Sequence, residues 1–137
     1  MFRIRVRKVA AGAILLAAVV LVGACGGVRP RQAAYSDYPL DRAQAAVELA
    51  RRGDCRGLDL LINLLEDEAA AVRMYAINSL ERLCGRDYGY HYYDPPAQRK
   101  AAVARWREAR RSGELERLCR QRGQAPAPVA EGEGQAG

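Results

Sequence analysis

The sequence predicts an all-α domain flanked by two segments of different character. Three observations carry that prediction. Between Asp41 and Arg122 the apolar residues recur at three- and four-residue spacing. Glycine and proline, which end or open helices, fall between those runs. No stretch alternates polar and apolar residues as a half-buried strand would. The helical pattern fails before Asp41 and after Arg122, so a domain over 41–122 is flanked by segments 1–40 and 123–137.

Within 41–122 each helix has a legible start and stop. Asp41 is placed to cap the first, with Gln44 at the reciprocal position of a capping box; Ala46, Leu49 and Ala50 form its apolar stripe and Gly53 ends it. The second runs from about Arg56 to Asp67. Leu58, Leu61, Ile62 and Leu65 share one face, and Leu60 and Leu64 widen it, so this helix is expected to be buried on more than one side. The third begins near Ala69, carries Val72, Ala76, Leu80 and Leu83 inward, and ends at Gly85. After a loop from Arg86 to Tyr93, Asp94-Pro95-Pro96 offers a cap followed by proline at the first helical position. That fourth helix turns Ala102, Val103 and Trp106 inward. Ser112-Gly113 breaks it, and Leu115, Leu118 and Cys119 mark a short last helix.

The first segment has the order of an export signal. Arg3, Arg5, Arg7 and Lys8 precede an apolar run, Val9 to Val22, broken only by Gly12. That run is shorter than the ~20 apolar residues that span a bilayer. It ends in Leu21-Val22-Gly23-Ala24-Cys25, which resembles the lipobox of bacterial lipoproteins. The resemblance implies cleavage between Ala24 and Cys25, a diacylglycerol on the Cys25 thiol, acylation of the new amino terminus, and attachment to a membrane of the cell envelope facing away from the cytoplasm. Gly26 in place of an aspartate implies the outer membrane where the cell has one. Segment 25–40, with its glycines and prolines, is expected to be a flexible tether. Segment 123–137, with Val129 as its one aliphatic side chain besides alanine, is expected to hold no fixed structure.

The formal charge of +6 is no argument for a nucleic-acid partner. Four of the 22 basic residues lie in the leader, and the chain from Cys25 onward carries 18 bases against 16 acids.

A shift of 31 positions lays the first helix on the third: Arg42 on Arg73, Ala45 on Ala76, Ala46 on Ile77 and Leu49 on Leu80. The pattern Leu58-x-x-Leu61-Ile62-x-Leu64-Leu65-x-Asp67, followed by Val72-Arg73-x-x-Ala76-x-x-x-Leu80, resembles the HEAT repeat. Segment Tyr92–Pro95 through Val103–Trp106 looks like the closing part of small HEAT-type bacterial proteins. The resemblance covers Asp41 to about Arg111 and implies a short stack of antiparallel helical hairpins, about two units and a capping helix. It also implies a structural role for Asp67 and Arg73, six positions apart, in a ladder of charge-assisted hydrogen bonds. The proline that often bends the first helix of a HEAT unit is missing here.

Once Cys25 is assigned to the lipid, Cys55, Cys84 and Cys119 remain, and three pairings are open. A HEAT-like stack would put Cys55 and Cys84 at the same rim, which favours that pair; Cys119 in the cap could reach either. Three reduced, buried thiols are the alternative. No CxxC and no His-Cys cluster point to a metal, and no cofactor is expected.

His91 is the only histidine and lacks a nucleophile or second base at legible spacing, so no enzyme activity and no small-molecule substrate are expected. Around it Tyr88, Tyr90, Tyr92 and Tyr93 either cover the open end of the stack or offer a binding surface for a glycan or peptide. Arginines dominate the last two helices, which could favour anionic lipid or acidic wall polymers; the plainer reading is a solvated face. The leading expectation is a non-enzymatic adaptor or scaffold that binds a protein partner in the envelope.

Overall fold

A computed structural model describes residues 29–124, and within them the chain is all-helical. The expected leader, with Ala24 and Cys25, lies outside the described residues, as does the tail beyond Gln124. The helices are α1 (Pro30–Ala33), α2 (Pro39–Arg51), α3 (Leu58–Leu64), α4 (Ala70–Cys84), α5 (Pro96–Arg111) and α6 (Glu114–Gln124); a 3-10 turn, Cys55–Gly57, leads into α3.

Segment 25–40 was expected to be a tether, but its described part contains α1, which packs on α2 with Pro30 and Ala34 buried. Proline at the first helical position starts this turn, because its ring presets φ and its missing N–H would have had no partner there. Proline also moves the start of α2. The helix begins at Pro39 with Tyr38 extended before it, three residues earlier than a cap at Asp41 would require. Asp41 therefore sits in the first turn, where its carboxylate suits the positive end of the helix, and accepts a hydrogen bond from Ser36 Oγ (2.7 Å). The expected Asp41 cap is not formed.

The other helix ends follow local chemistry. Asp54 caps the 3-10 turn by accepting the Arg56 N–H (3.1 Å). Gly85 ends α4 in the left-handed region (φ 70°) and returns its N–H to the Glu81 carbonyl. Pro95, rather than Asp94, occupies the cap position of α5, and Asp94 stands one residue outside it. α3 is shorter than expected, ending at Leu64 rather than Asp67.

α2 lies along α4 over most of its length, and α3 packs on both α4 and α5. α6 folds back across α4, α5 and the 3-10 turn. One core results, in which Leu49, Leu58, Leu61, Leu65, Val72, Leu80, Val103, Trp106 and Leu115 are fully buried. The stripes expected from spacing, Ala46–Leu49–Ala50, Leu58–Leu61–Ile62–Leu65, Val72–Ala76–Leu80–Leu83 and Ala102–Val103–Trp106, are all inside. No helix among the described residues is long and apolar enough to cross a membrane.

Candidate functional site

Three arginines near helix starts hold the loops in place, each by the same device. Arg42 in α2 donates to the Ser36 and Asp37 carbonyls (2.8 and 3.2 Å), Arg73 in α4 to those of Asp67 and Glu68 (both 2.8 Å), and Arg99 in α5 to that of Asp94. Arg42 and Arg73 also reach forward into the next connection. Arg42 grips the Asp67 carboxylate with two parallel bonds (2.7 and 3.0 Å), and Arg73 Nε donates to the Tyr92 carbonyl (3.1 Å). Arg73 meets Asp67 through the latter's main-chain oxygen; the Asp67 carboxylate belongs to Arg42, 31 residues before Arg73. Burial alone would push the Asp67 carboxyl up, yet the bonds from Arg42 and the Ala69 N–H outweigh it and hold the group below its ordinary range.

The cysteines correct the expected pairing. Cys55 is bonded to Cys119, with Cα atoms 5.9 Å apart, and not to Cys84. The reason is the return of α6, which lays Cys119 against the 3-10 turn that carries Cys55. Cys84 points into the interior beside Leu115 and stays a free, buried thiol. Burial pushes it up to about 11.

The four loop tyrosines separate into different environments. Tyr90 is buried, and its hydroxyl donates to the Leu65 carbonyl (2.5 Å). Tyr88 packs edge-on against Trp106, with ring centres 4.7 Å apart, and donates to Glu114 (2.9 Å). Burial, reinforced by that carboxylate, raises Tyr88 to about 12. Tyr92 packs on the core from its edge. Tyr93 is the exposed member, at 70 %. It stacks on His91 (5.5 Å) and meets Tyr92 edge-on (5.1 Å), while His91 Nδ1 pairs with Asp94 (3.1 Å). Tyr93, His91 and Asp94 border a shallow recess of about 570 Å³ together with Gln98 and Arg105. Sequence reasoning treated the tyrosines as one group; only burial distinguishes Tyr93 from the rest.

Three of the nine basic residues of α5 and α6 are matched by carboxylates, all three on α5. Arg107 pairs with Glu66, Arg110 with Asp59 and Glu116, and Arg111 with Glu108. Among the described residues no group of three or more His, Cys, Asp or Glu is placed to hold a metal ion.

Comparison with protein-family models, curated proteins and solved structures finds no match. The functional argument therefore rests on this chain's own residues.

Proposed function

We propose that this chain is a bacterial envelope lipoprotein whose helical domain, a short HEAT-like stack, acts as a non-enzymatic adaptor holding a protein partner at the membrane. The observation that carries the reading is the union, in one short chain, of the Leu21–Cys25 lipobox with a domain cross-linked by Cys55–Cys119. Disulfides persist in oxidising compartments, which is where a lipobox would deliver the domain. Support for the stack comes from the device repeated at Arg42, Arg73 and Arg99, and from helices α2 and α4 beginning 31 residues apart. The surface offered to the partner is the Tyr93–His91 recess. An aromatic ring already held by two neighbours loses little freedom on binding, so more of its contact energy appears as affinity.

Photo-crosslinking residues placed in cells at positions 93 and 98 test this. One discrete protein adduct, absent when the crosslinker is moved to the matched surface at Arg111, is the expected result. No adduct, or the same smear from all three positions, would contradict it.

An anionic wall polymer or lipid surface is the second reading for the α5–α6 side. It is favoured by Arg99, Lys100, Arg105, Arg117, Arg120 and Arg122, which make no ion pair with a carboxylate among the described residues. Binding of that kind weakens steeply as salt rises. Binding to purified wall that ignores salt would remove this reading.

A further inference from the structure

The large apolar side chains left exposed are not scattered. Of the six among the described residues, Tyr35, Tyr38, Leu40, Val47 and Tyr75 belong to the α1–α2 region or the α4 position beside it; the sixth is Tyr93. Pro30, Leu40, Ala43, Val47 and Tyr75 line a groove of about 600 Å³. A basic pocket adjoins it through Pro30 and Arg52, and Arg29, Arg31 and Arg56 complete its charged lining against Asp54. Arg31 and Arg56 share that single carboxylate (3.1 Å each), and Arg52 shares Glu48 with Arg51. Five guanidiniums thus stand against two carboxylates beside an apolar groove.

Cys25 fixes what lies opposite this face. It precedes Pro30 by five residues, and a chain spans at most ~3.6 Å per residue, so a lipid on Cys25 enters its membrane within about 18 Å of the groove wall. Tyrosine rings favour the zone between headgroups and acyl chains, arginines favour anionic headgroups, and exposed apolar patches of this kind mark contact surfaces.

We propose that the α1–α2 face is a membrane-docking surface, seating the groove and the exposed tyrosines of the α1–α2 connection, Tyr35 and Tyr38, in the interface of a bilayer that contains anionic phospholipid. The domain then lies on the membrane in a fixed orientation, with α1 and α2 beneath. This rests on the lipid anchor proposed above.

Hydroxyl-radical footprinting of the full chain, purified from membranes with its native processing, tests it. The protein is reconstituted in phosphatidylcholine vesicles with about 30 % phosphatidylglycerol, and its intact mass is read first. Tyr35, Tyr38 and Tyr93 are 76 %, 72 % and 70 % exposed, so each should react alike in solution once normalised to the unfolded chain. On vesicles, Tyr35 and Tyr38 should react at least about threefold less than Tyr93, as expected of rings withdrawn from water. The double variant Leu40→Asp, Val47→Asp changes two exposed side chains, and should return the ratio to near one with the lipidated mass unchanged. A ratio of one in the lipidated wild type overturns the docking surface alone. So does protection that survives the double variant. A mass without lipid overturns the anchor, and the surface falls with it.

Discussion

Tyr90 and Tyr93 stand three residues apart and do opposite things. Tyr90 places its hydroxyl on the Leu65 carbonyl at the end of α3, closing an orphaned acceptor inside the core. Tyr90→Phe should cost about 1–3 kcal/mol, the penalty of leaving a buried acceptor unpaired, whereas Tyr93→Ala should change stability by less than about 0.5 kcal/mol. Urea unfolding of both variants checks the pair of values. If Tyr93→Ala proved as costly as Tyr90→Phe, the recess would be part of the core and not a surface. Asp67 gives a prediction in pH. Its folded-state value is depressed, so its contribution is complete above the unfolded carboxylate value of about 3.9 and is lost as pH falls through the lower folded value. Urea midpoints measured between about pH 2.5 and pH 7 should therefore fall on the acid side in the wild type. In Asp67→Asn the midpoint should be lower at neutral pH and the acid limb shallower. An unchanged limb would mean that Arg42 and Asp67 do not act as a pair. The identity of the buried positions was legible from spacing, because helical periodicity reports which side chains share a face. That Tyr90 and Tyr93 differ was not, because in a loop no period connects sequence to burial.

At the scale of elements, α6 decides more than its length suggests. It supplies Leu115 to the core, Glu114 to Tyr88 and Cys119 to the disulfide. The cross-link closes a loop of 64 residues, for which chain-entropy reasoning gives a stabilisation of about 4 kcal/mol. A domain of this size has a total stability of only about 5–15 kcal/mol, so the bond is a large share of it. Cys55→Ser with Cys119→Ser should lower the unfolding free energy by about 4 kcal/mol, whereas Cys84→Ser should act only through the polarity of a buried hydroxyl. Denaturant curves of the two variants, with and without reductant, distinguish these effects; a wild type indifferent to reductant would refute the cross-link. Gly85→Ala should cost about 1–2 kcal/mol, because the left-handed turn that ends α4 excludes a Cβ. Five of the six helices were readable from glycine, proline and apolar spacing, whereas α1 fell in a segment expected to be a tether. The disulfide partner was not, since pairing depends on where a final helix folds back. The start of α2 was misjudged because proline stands two residues before the expected acidic cap, Pro39 before Asp41: the ring starts the helix first and leaves the carboxylate in the first turn.

For the whole molecule, the proposals assign different faces to different neighbours. The α1–α2 side, next to the proposed anchor, gathers most of the exposed large apolar side chains and five guanidiniums, while the Tyr93–His91 recess lies at the α4–α5 connection. All of this depends on the chemistry of Cys25. The measurement that tests it most directly is the intact mass of the protein from the membrane fraction, beside Cys25→Ala and with thiol alkylation before and after reduction. The account predicts a chain that begins at Cys25, carries acyl groups, and loses both features in the variant. It also predicts one alkylated thiol, Cys84, in the unfolded but unreduced protein, and three after reduction. A full-length, unmodified mass with three free thiols besides Cys25 would contradict the anchor, the oxidising compartment and the membrane-facing surface together.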